Sequence, residues 1–118
     1  MEKIASFKDL KIWQRGMELA KAVYEITDLF PSKETYGIVS QMRRSAVSVP
    51  SNIAEGFMRK GNKEYAQFLY ISLGSLAELE TQVIISEQLG FMDSNKSGEL
   101  QASIADISKM TMGLIKCL

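Results

Sequence analysis

The sequence contains no histidine, a single cysteine, Cys117, and only two prolines, Pro31 and Pro50. Without an imidazole there is no Ser-His or Cys-His nucleophile pair, no histidine general base and no histidine-containing zinc or di-iron site. One cysteine forms neither a thiolate metal cage nor an internal disulfide, which fits a reducing compartment. These absences exclude most classes of enzyme and cofactor site, so we expect neither a catalytic activity nor a cofactor.

Carboxylates are the remaining groups that could hold a metal ion or transfer protons. Glu78, Glu80 and Glu87 lie on one predicted helix, but no glycine-rich phosphate loop or EF-hand loop accompanies them. Acidic residues in this pattern are usually solvated or paired in a structural role, and we interpret them in that way. An enzyme that uses carboxylates alone is the least supported class of function.

The length of 118 residues and the hydrophobic content of 46% suit a single domain, residues 1–118, with one core. The first residues alternate between charged and apolar side chains and lack a continuous apolar h-region. Nowhere does the sequence reach the ~18 uninterrupted apolar residues that a membrane span needs. We therefore expect a soluble, cytoplasmic protein without a membrane partner.

The scarcity of proline and the lack of alternating β-branched residues predict an all-α chain. Short connections between long helices favour antiparallel neighbours, and hence an up-down-up-down four-helix bundle. Ser6 and Asp9 have the spacing of a capping box before helix 1, and Asn62 is a good N-cap for helix 3. Helix-breaking residues place the four helices at about residues 8–29, 37–55, 62–89 and from 94 almost to 118.

The segment RRSAVSVPSNIAEG, residues 43–56, combines a helical apolar period with several serines and a proline. Its apolar stripe continues in phase through Pro50, which predicts one helix with a kink at that residue. The alternative is a helix that stops at Val49, because proline disfavours a helical conformation in the preceding residue. A proline inside a helix costs about 3 kcal/mol, which packing or serine side chains would have to offset.

A second stripe of the same helix is polar and lies away from the apolar one. If helices 2 and 3 form a hairpin about Lys60, this stripe faces helix 3, and Arg44 comes within ion-pair reach of Glu78. Serines would then meet serines across a polar seam between the helices. A solvated surface is the alternative interpretation and has equal support. The polar seam comprises Arg44, Ser48, Asn52, Glu55, Ser75 and Glu78.

Three segments, FKDLKIW, QMRRSAVSVPSNIAEG and GSLAELETQ, resemble signature segments of the proteins encoded in intervening sequences of bacterial 23S rRNA genes, also labelled S23 ribosomal proteins. The resemblance covers nearly the whole chain and is weakest in helix 4. It implies a four-helix bundle that assembles as a ring, with the homopentamer as the known arrangement, and no established biochemical activity. More distantly, the chain resembles the accessory variability protein of diversity-generating retroelements, a basic pentamer that works with a reverse transcriptase and nucleic acid.

Apolar residues cover more of helices 1 and 3 than a monomeric bundle needs. On helix 1, two apolar stripes together cover about half of the cylinder, whereas a surface helix needs an apolar stripe of only ~100°. On helix 3, Ile71, Ile85 and Leu89 lie on an otherwise polar sector. Because apolar residues clustered on one edge mark an interface, we expect these three to join the subunits of a cyclic homo-oligomer.

The 14 basic and 14 acidic residues cancel, whereas a nucleic-acid-binding domain is usually basic. The distribution is uneven, however, because residues 43–63 hold five basic residues and one acidic residue, a balance of 5 − 1 = +4. Symmetric assembly would repeat the RKGNK loop as a basic rim. The alternative is a solvated loop that keeps the protein soluble. The candidate RNA contacts are Arg43, Arg59, Lys60 and Lys63.

These patterns together predict a non-enzymatic homo-oligomeric bundle, a pentamer by the resemblance. Its role would be assembly or binding, with two candidate targets. One is structured RNA at the basic rim, and the other is a helical protein partner.

Overall fold

The computed structural model describes residues 4–118, and within this range the chain forms helices joined by turns and short loops. Two 3-10 turns, Phe7–Asp9 and Ser32–Glu34, precede the first and second helices. The all-α prediction is confirmed. The four helices are α1 (Lys11–Thr27), α2 (Ile38–Phe57), α3 (Asn62–Gln88) and α4 (Ser94–Lys116).

Each helix packs against its neighbours in sequence, and α4 returns to contact α1. The connections on either side of α3 span only residues 58–61 and 89–93, so these helices run antiparallel. The bundle is 45 Å long and 24 by 19 Å across. The predicted up-down-up-down four-helix bundle is therefore confirmed. The start of α1, the end of α2, the start of α3 and the end of α4 share one end of the bundle, which we call the RKGNK end.

One hydrophobic core follows the bundle axis and receives side chains from all four helices. Fully burying a leucine-sized side chain contributes roughly 1.5–3 kcal/mol, so this core provides the main favourable free energy of folding. The largest fully buried side chains are Met42, Ile53, Leu69, Leu76, Leu79 and Ile107.

The first helix is shorter than the sequence predicts. Leu10 has an extended backbone, with φ −74° and ψ 129°, and separates the 3-10 turn Phe7–Asp9 from α1. The expected capping box at α1 is wrong, because Ser6 Oγ accepts a hydrogen bond from the Lys8 N–H at 3.2 Å. Ser6 therefore caps the 3-10 turn instead of the helix.

The second helix continues through Pro50, so the alternative of a stop at Val49 is wrong. The prolyl ring packs closely against α1, since a Cβ added at Gly16 would lie 3.4 Å from Pro50 Cβ. This packing buries the ring and offsets the backbone hydrogen bond that a proline removes. The kink at Pro50 stays a prediction.

The starts of α3 and α4 are capped in different ways. Gly61 is the N-cap of α3 and makes no side-chain hydrogen bond, whereas Asn62 is already the first helical residue. The prediction of an Asn62 cap is therefore wrong by one residue. At α4, Asp93 Oδ1 accepts a hydrogen bond from the Lys96 N–H at 2.8 Å, which fixes the predicted helix start at Ser94.

Helices α2 and α3 approach each other closely at Gly56. A Cβ at this position would lie 2.8 Å from Phe68 Cβ and 3.1 Å from Tyr65 Cδ1. Two carbon atoms in van der Waals contact need about 3.5–4.0 Å, so a larger residue would push the two helices apart.

We expect Gly56→Ala to lower the free energy of unfolding by about 1–3 kcal/mol, because the added methyl group overpacks the α2–α3 contact. Gly98→Ala is the matched control, since Gly98 lies in α4 with no atom within 4 Å of an added Cβ. The Gly98→Ala substitution should raise the free energy of unfolding by about 0.5–1 kcal/mol, because alanine has a higher helix propensity than glycine. Urea unfolding followed by circular dichroism measures both. Equal effects of the two substitutions would contradict the close approach.

Candidate functional site

The arginine of the RKGNK loop is held by acidic neighbours on α2 and α3. Its side-chain nitrogens lie 3.0 Å from Glu55 and 3.9 Å from Glu64. The Arg59 guanidinium also lies over the Phe68 ring, 4.8 Å from its centroid. Nearby acids therefore balance part of the charge of Arg59.

The exposed charge of this loop is smaller than the sequence indicates. Lys60 and Lys63 are exposed, and among residues 4–118 no acidic group lies within 4.0 Å of either ammonium. Counting Glu55 and Glu64 against the three basic residues of the loop gives 3 − 2 = +1. Lys116, in the last turn of α4, adds one more positive charge at the same end of the bundle.

Arg43 lies far from the loop, about 20 Å back along α2 at 1.5 Å per residue. Its guanidinium forms an ion pair with Asp28 at 2.8 Å, and its Nε donates a hydrogen bond to Thr27 Oγ1 at 3.0 Å. The same group lies 4.5 Å from the centroid of the Tyr24 ring. These contacts join α2 to the C-terminal end of α1, where a cation also stabilises the helix dipole. Arg43 therefore lies apart from the other three candidate RNA contacts, and its contact with RNA stays a prediction.

The serine part of the predicted polar seam is present between α2 and α3. The hydroxyl oxygens of Ser48 and Ser75 are 2.8 Å apart, and Asn52 Nδ2 donates a hydrogen bond to Ser48 Oγ at 2.8 Å. About one turn before Ser75 on α3, Ser72 Oγ donates a hydrogen bond to the Val49 carbonyl at 3.0 Å. These small side chains satisfy their own hydroxyl groups and let the two backbones approach.

The charged part of the predicted seam is wrong. Arg44 and Glu78 are both exposed, and within the described chain no ion pair of 4.0 Å or less includes either of them. Glu55 pairs with Arg59 instead, at the end of α2. An exposed ion pair gains only about 0–1 kcal/mol, which does not hold two solvated side chains together.

Arg44 and Glu78 instead lie on opposite rims of a polar groove between α2 and α3, with a volume of about 360 Å³. Buried or half-buried serines form its floor. At one end, Gln82 is 8% exposed, and its Oε1 atom has no hydrogen-bond partner among residues 4–118. The remaining lining residues are Gln41, Ser45, Ser48 and Ser75.

The outer face of α3 carries uncovered apolar side chains among polar ones. The predicted interface residues Ile71, Ile85 and Leu89 are 50%, 41% and 60% exposed. Tyr70 and Ile84 are also exposed, directly beside two of them in sequence. The sequence prediction missed these two, although both belong to the apolar excess of this helix. The length and composition of α3 would suffice to cross a membrane. Core helices of soluble proteins meet the same two criteria, so these do not identify a membrane span.

A second apolar surface lies between α1 and α2. Its groove has a volume of about 330 Å³ and is lined mainly by apolar side chains. One of the two apolar stripes of helix 1, which contains Trp13, Met17 and Ala20, contributes to this groove, because these residues are only partly covered or exposed. The main lining residues are Trp13, Met17, Ala20, Val47, Pro50 and Ala54.

Within residues 4–118, no group of three or more Asp, Glu, Cys or His side chains is placed to hold a metal ion. Cys117 is exposed near the end of α4. Neither observation marks a reactive centre, so the polar groove, the apolar surfaces and the RKGNK end are the candidate sites.

Comparison with known proteins identifies the family. Residues 8–113 match the model of the 23S rRNA-intervening sequence proteins. The chain belongs to this family. A crystal structure of a protein with unknown function from the S23 ribosomal protein family of Bacteroides thetaiotaomicron VPI-5482 has a TM-score of 0.81 and 18% sequence identity, covering 89% of this chain and 98% of that chain. At this identity the likeness establishes the shared fold alone. No curated protein matches the chain significantly.

Proposed function

We propose that this family member is a non-enzymatic assembly unit, a homo-oligomeric bundle whose subunits join through the outer face of α3. The observation that carries this proposal is the row of exposed apolar side chains on one edge of that helix. Exposed apolar side chains that cluster on one face of a helix mark an interaction surface. The bundle covers α3 on one side only, so a second copy would cover the other. The row consists of Tyr70, Ile71, Ile84, Ile85 and Leu89.

The groove between α1 and α2 supports a cyclic arrangement. It is apolar, and because α3 packs against α2 and α4, this groove is a different surface from the outer face of α3. A contact between two different surfaces repeats from subunit to subunit and closes into a ring when the rotation allows. Five subunits are the number that the family resemblance implies.

A protein surface suits the outer face of α3 better than lipid does. The inner face of the same helix buries four polar side chains inside the bundle, and a lone membrane span would expose them to hydrocarbon at a high free-energy cost. We therefore propose assembly in water without a membrane partner. The four are Ser72, Ser75, Gln82 and Ser86.

We expect sedimentation velocity of the wild-type protein at micromolar concentration to show an oligomer, with 5 × 13.2 = 66 kDa for a pentamer. The double variant Ile71→Gln, Ile85→Gln should sediment as a 13.2-kDa monomer, because it places uncharged polar groups at the centre of the buried face.

Met112→Gln is the matched control for this experiment. Met112 is as exposed as Ile71, at 51%, but lies on α4. Its substitution should leave the oligomer intact. A monomeric wild type, or an oligomer that survives the double change, would contradict assembly through α3.

A second candidate function is the binding of structured RNA at the RKGNK end, supported by the exposed ammonium groups of Lys60 and Lys63. In a ring these lysines would repeat around one rim and bind phosphates multivalently. Contacts to bases would be few, because the nearby aromatic residues Phe57 and Tyr65 stack on each other with their ring centroids 6.1 Å apart. Binding of a helical protein partner is the competing proposal.

We expect a structured rRNA fragment to bind the wild type with a strong salt dependence. The variant Lys60→Ala, Lys63→Ala should bind more weakly, and the slope of log affinity against log salt should fall by about 0.7–0.9 for each phosphate that the variant no longer neutralises. Arg59 stays unchanged in this variant, because its removal would release Glu55 and Glu64 and add an unrelated effect.

The matched control, Lys21→Ala with Lys33→Ala, removes the same charge from exposed positions away from the RKGNK end. It should leave the slope unchanged. If both double variants weaken binding equally, the interaction is general electrostatic attraction. If the wild type binds no RNA even at low salt, the protein-partner proposal takes precedence.

A further inference from the structure

We propose that the polar groove between α2 and α3 binds a small zwitterion of the α-amino-acid class. In this arrangement Arg44 binds the carboxylate of the ligand, Glu78 binds its ammonium group, and the Gln82 side chain completes the hydrogen bonds. All of these residues belong to one chain. Glu78 lies seven residues from both Ile71 and Ile85 on α3, so the groove borders the proposed assembly face.

The buried amide of Gln82 is the first observation that points to a ligand. The side chain is 8% exposed, and its Oε1 atom is buried without a hydrogen-bond partner. Most buried polar groups in native proteins are satisfied, because an orphaned acceptor loses its hydration without compensation. The Gln82 side chain lines the groove, so a ligand bound there would lie beside this amide. A donor bound in the groove would then satisfy it.

The second observation is the pair of opposite charges on the two rims. Ser48 on α2 meets Ser75 on α3, with the hydroxyl oxygens 2.8 Å apart. Arg44 lies one turn before Ser48, and Glu78 lies about one turn after Ser75. Because the helices are antiparallel, the two charges stand at the same level across the groove. Neither has an ion-pair partner within 4.0 Å among residues 4–118.

The charge pattern selects the chemical class of the ligand. A simple anion would be attracted by Arg44 but repelled by Glu78. A simple cation would be attracted by Glu78 but repelled by Arg44. A molecule that carries an anionic and a cationic group close together can form charge-assisted hydrogen bonds with both Arg44 and Glu78. The serine floor supplies hydroxyl groups and excludes a ligand that is mainly apolar.

The size and rigidity of the groove fit a small molecule. Its volume of about 360 Å³ falls at the lower end of the ~300–1,000 Å³ range of ligand pockets. The serine contact and the close approach at Gly56 hold α2 and α3 together, so the groove exists before a ligand enters.

Titration of the ¹⁵N-labelled protein with two amino acids and two derivatives tests the charge requirement. L-Alanine and L-glutamine carry both charges, N-acetyl-L-alanine lacks the ammonium group, and L-alaninamide lacks the carboxylate. We expect L-alanine or L-glutamine to shift the backbone amide signals of residues 41–48 and 75–82 in a saturable way. The two derivatives should bind at least about tenfold more weakly, since each forgoes one charge-assisted hydrogen bond. If neither amino acid binds, or all probes bind equally, the proposal is overturned.

Variants locate the site. Glu78→Gln keeps the side-chain length, Arg44→Gln keeps a polar side chain without the charge, and each should weaken binding about tenfold or more. The controls Glu25→Gln and Arg15→Gln change the same charges at exposed positions on α1 and should leave binding unchanged. Unaltered affinity in both groove variants would place the ligand elsewhere and refute the assignment.

Gln82→Met separates a binding role from a structural one. Methionine keeps the shape of the side chain but removes the orphaned acceptor, so the melting temperature should rise while affinity for the amino acid falls. A lower melting temperature would show that the amide is satisfied in the free protein, which would remove the first observation and with it the proposal.

Discussion

The close approach of α2 to α3 is the contact on which the rest of the structure depends. It uses the absence of a side chain at Gly56, the hydroxyl pair of Ser48 and Ser75, and the hydrogen bond from Ser72 to the Val49 carbonyl. Because these groups are small, the backbones approach and the large side chains of both helices turn toward the common core. The polar groove and the uncovered face of α3 are consequences of this arrangement.

The same contact explains why α3 stays incompletely covered. In the bundle α3 packs against only α2 and α4, and α1 lies diagonally across the core. Its inner face is used for the core and the serine contacts, while its outer face carries apolar side chains that the described part of the chain leaves uncovered. Family membership accounts for the fold, and the exposed apolar side chains on the outer face of α3 are the reason to propose assembly.

Periodicity predicted the features that depend on one or two neighbouring turns of helix. The apolar stripe through Pro50 predicted a continuous helix, and the alignment of a helical hairpin placed Ser48 opposite Ser75. The helical repeat of 3.6 residues determines both features. Burial of a whole apolar stripe contributes enough free energy to determine which way a helix packs. The four helices could therefore be predicted from the sequence.

Side-chain contacts could not be predicted where the alternative contacts have similar free energies. Arg43 and Arg44 are adjacent in sequence, but only Arg43 reaches Asp28 and Thr27, which α1 presents from another part of the chain. The Arg44–Glu78 pair was predicted from spacing alone, whereas solvation determines whether an exposed ion pair forms. The orphaned oxygen of Gln82 depends on every neighbour of that side chain, so no sequence pattern marks it.

The central claim is that a second copy of the chain completes the burial of α3. Thermal unfolding at protein concentrations spread over about a hundredfold range tests it directly, because association of folded subunits stabilises them by mass action. The account predicts a midpoint that rises steadily with concentration. A midpoint independent of concentration over the whole range, with a monomer throughout, would contradict it.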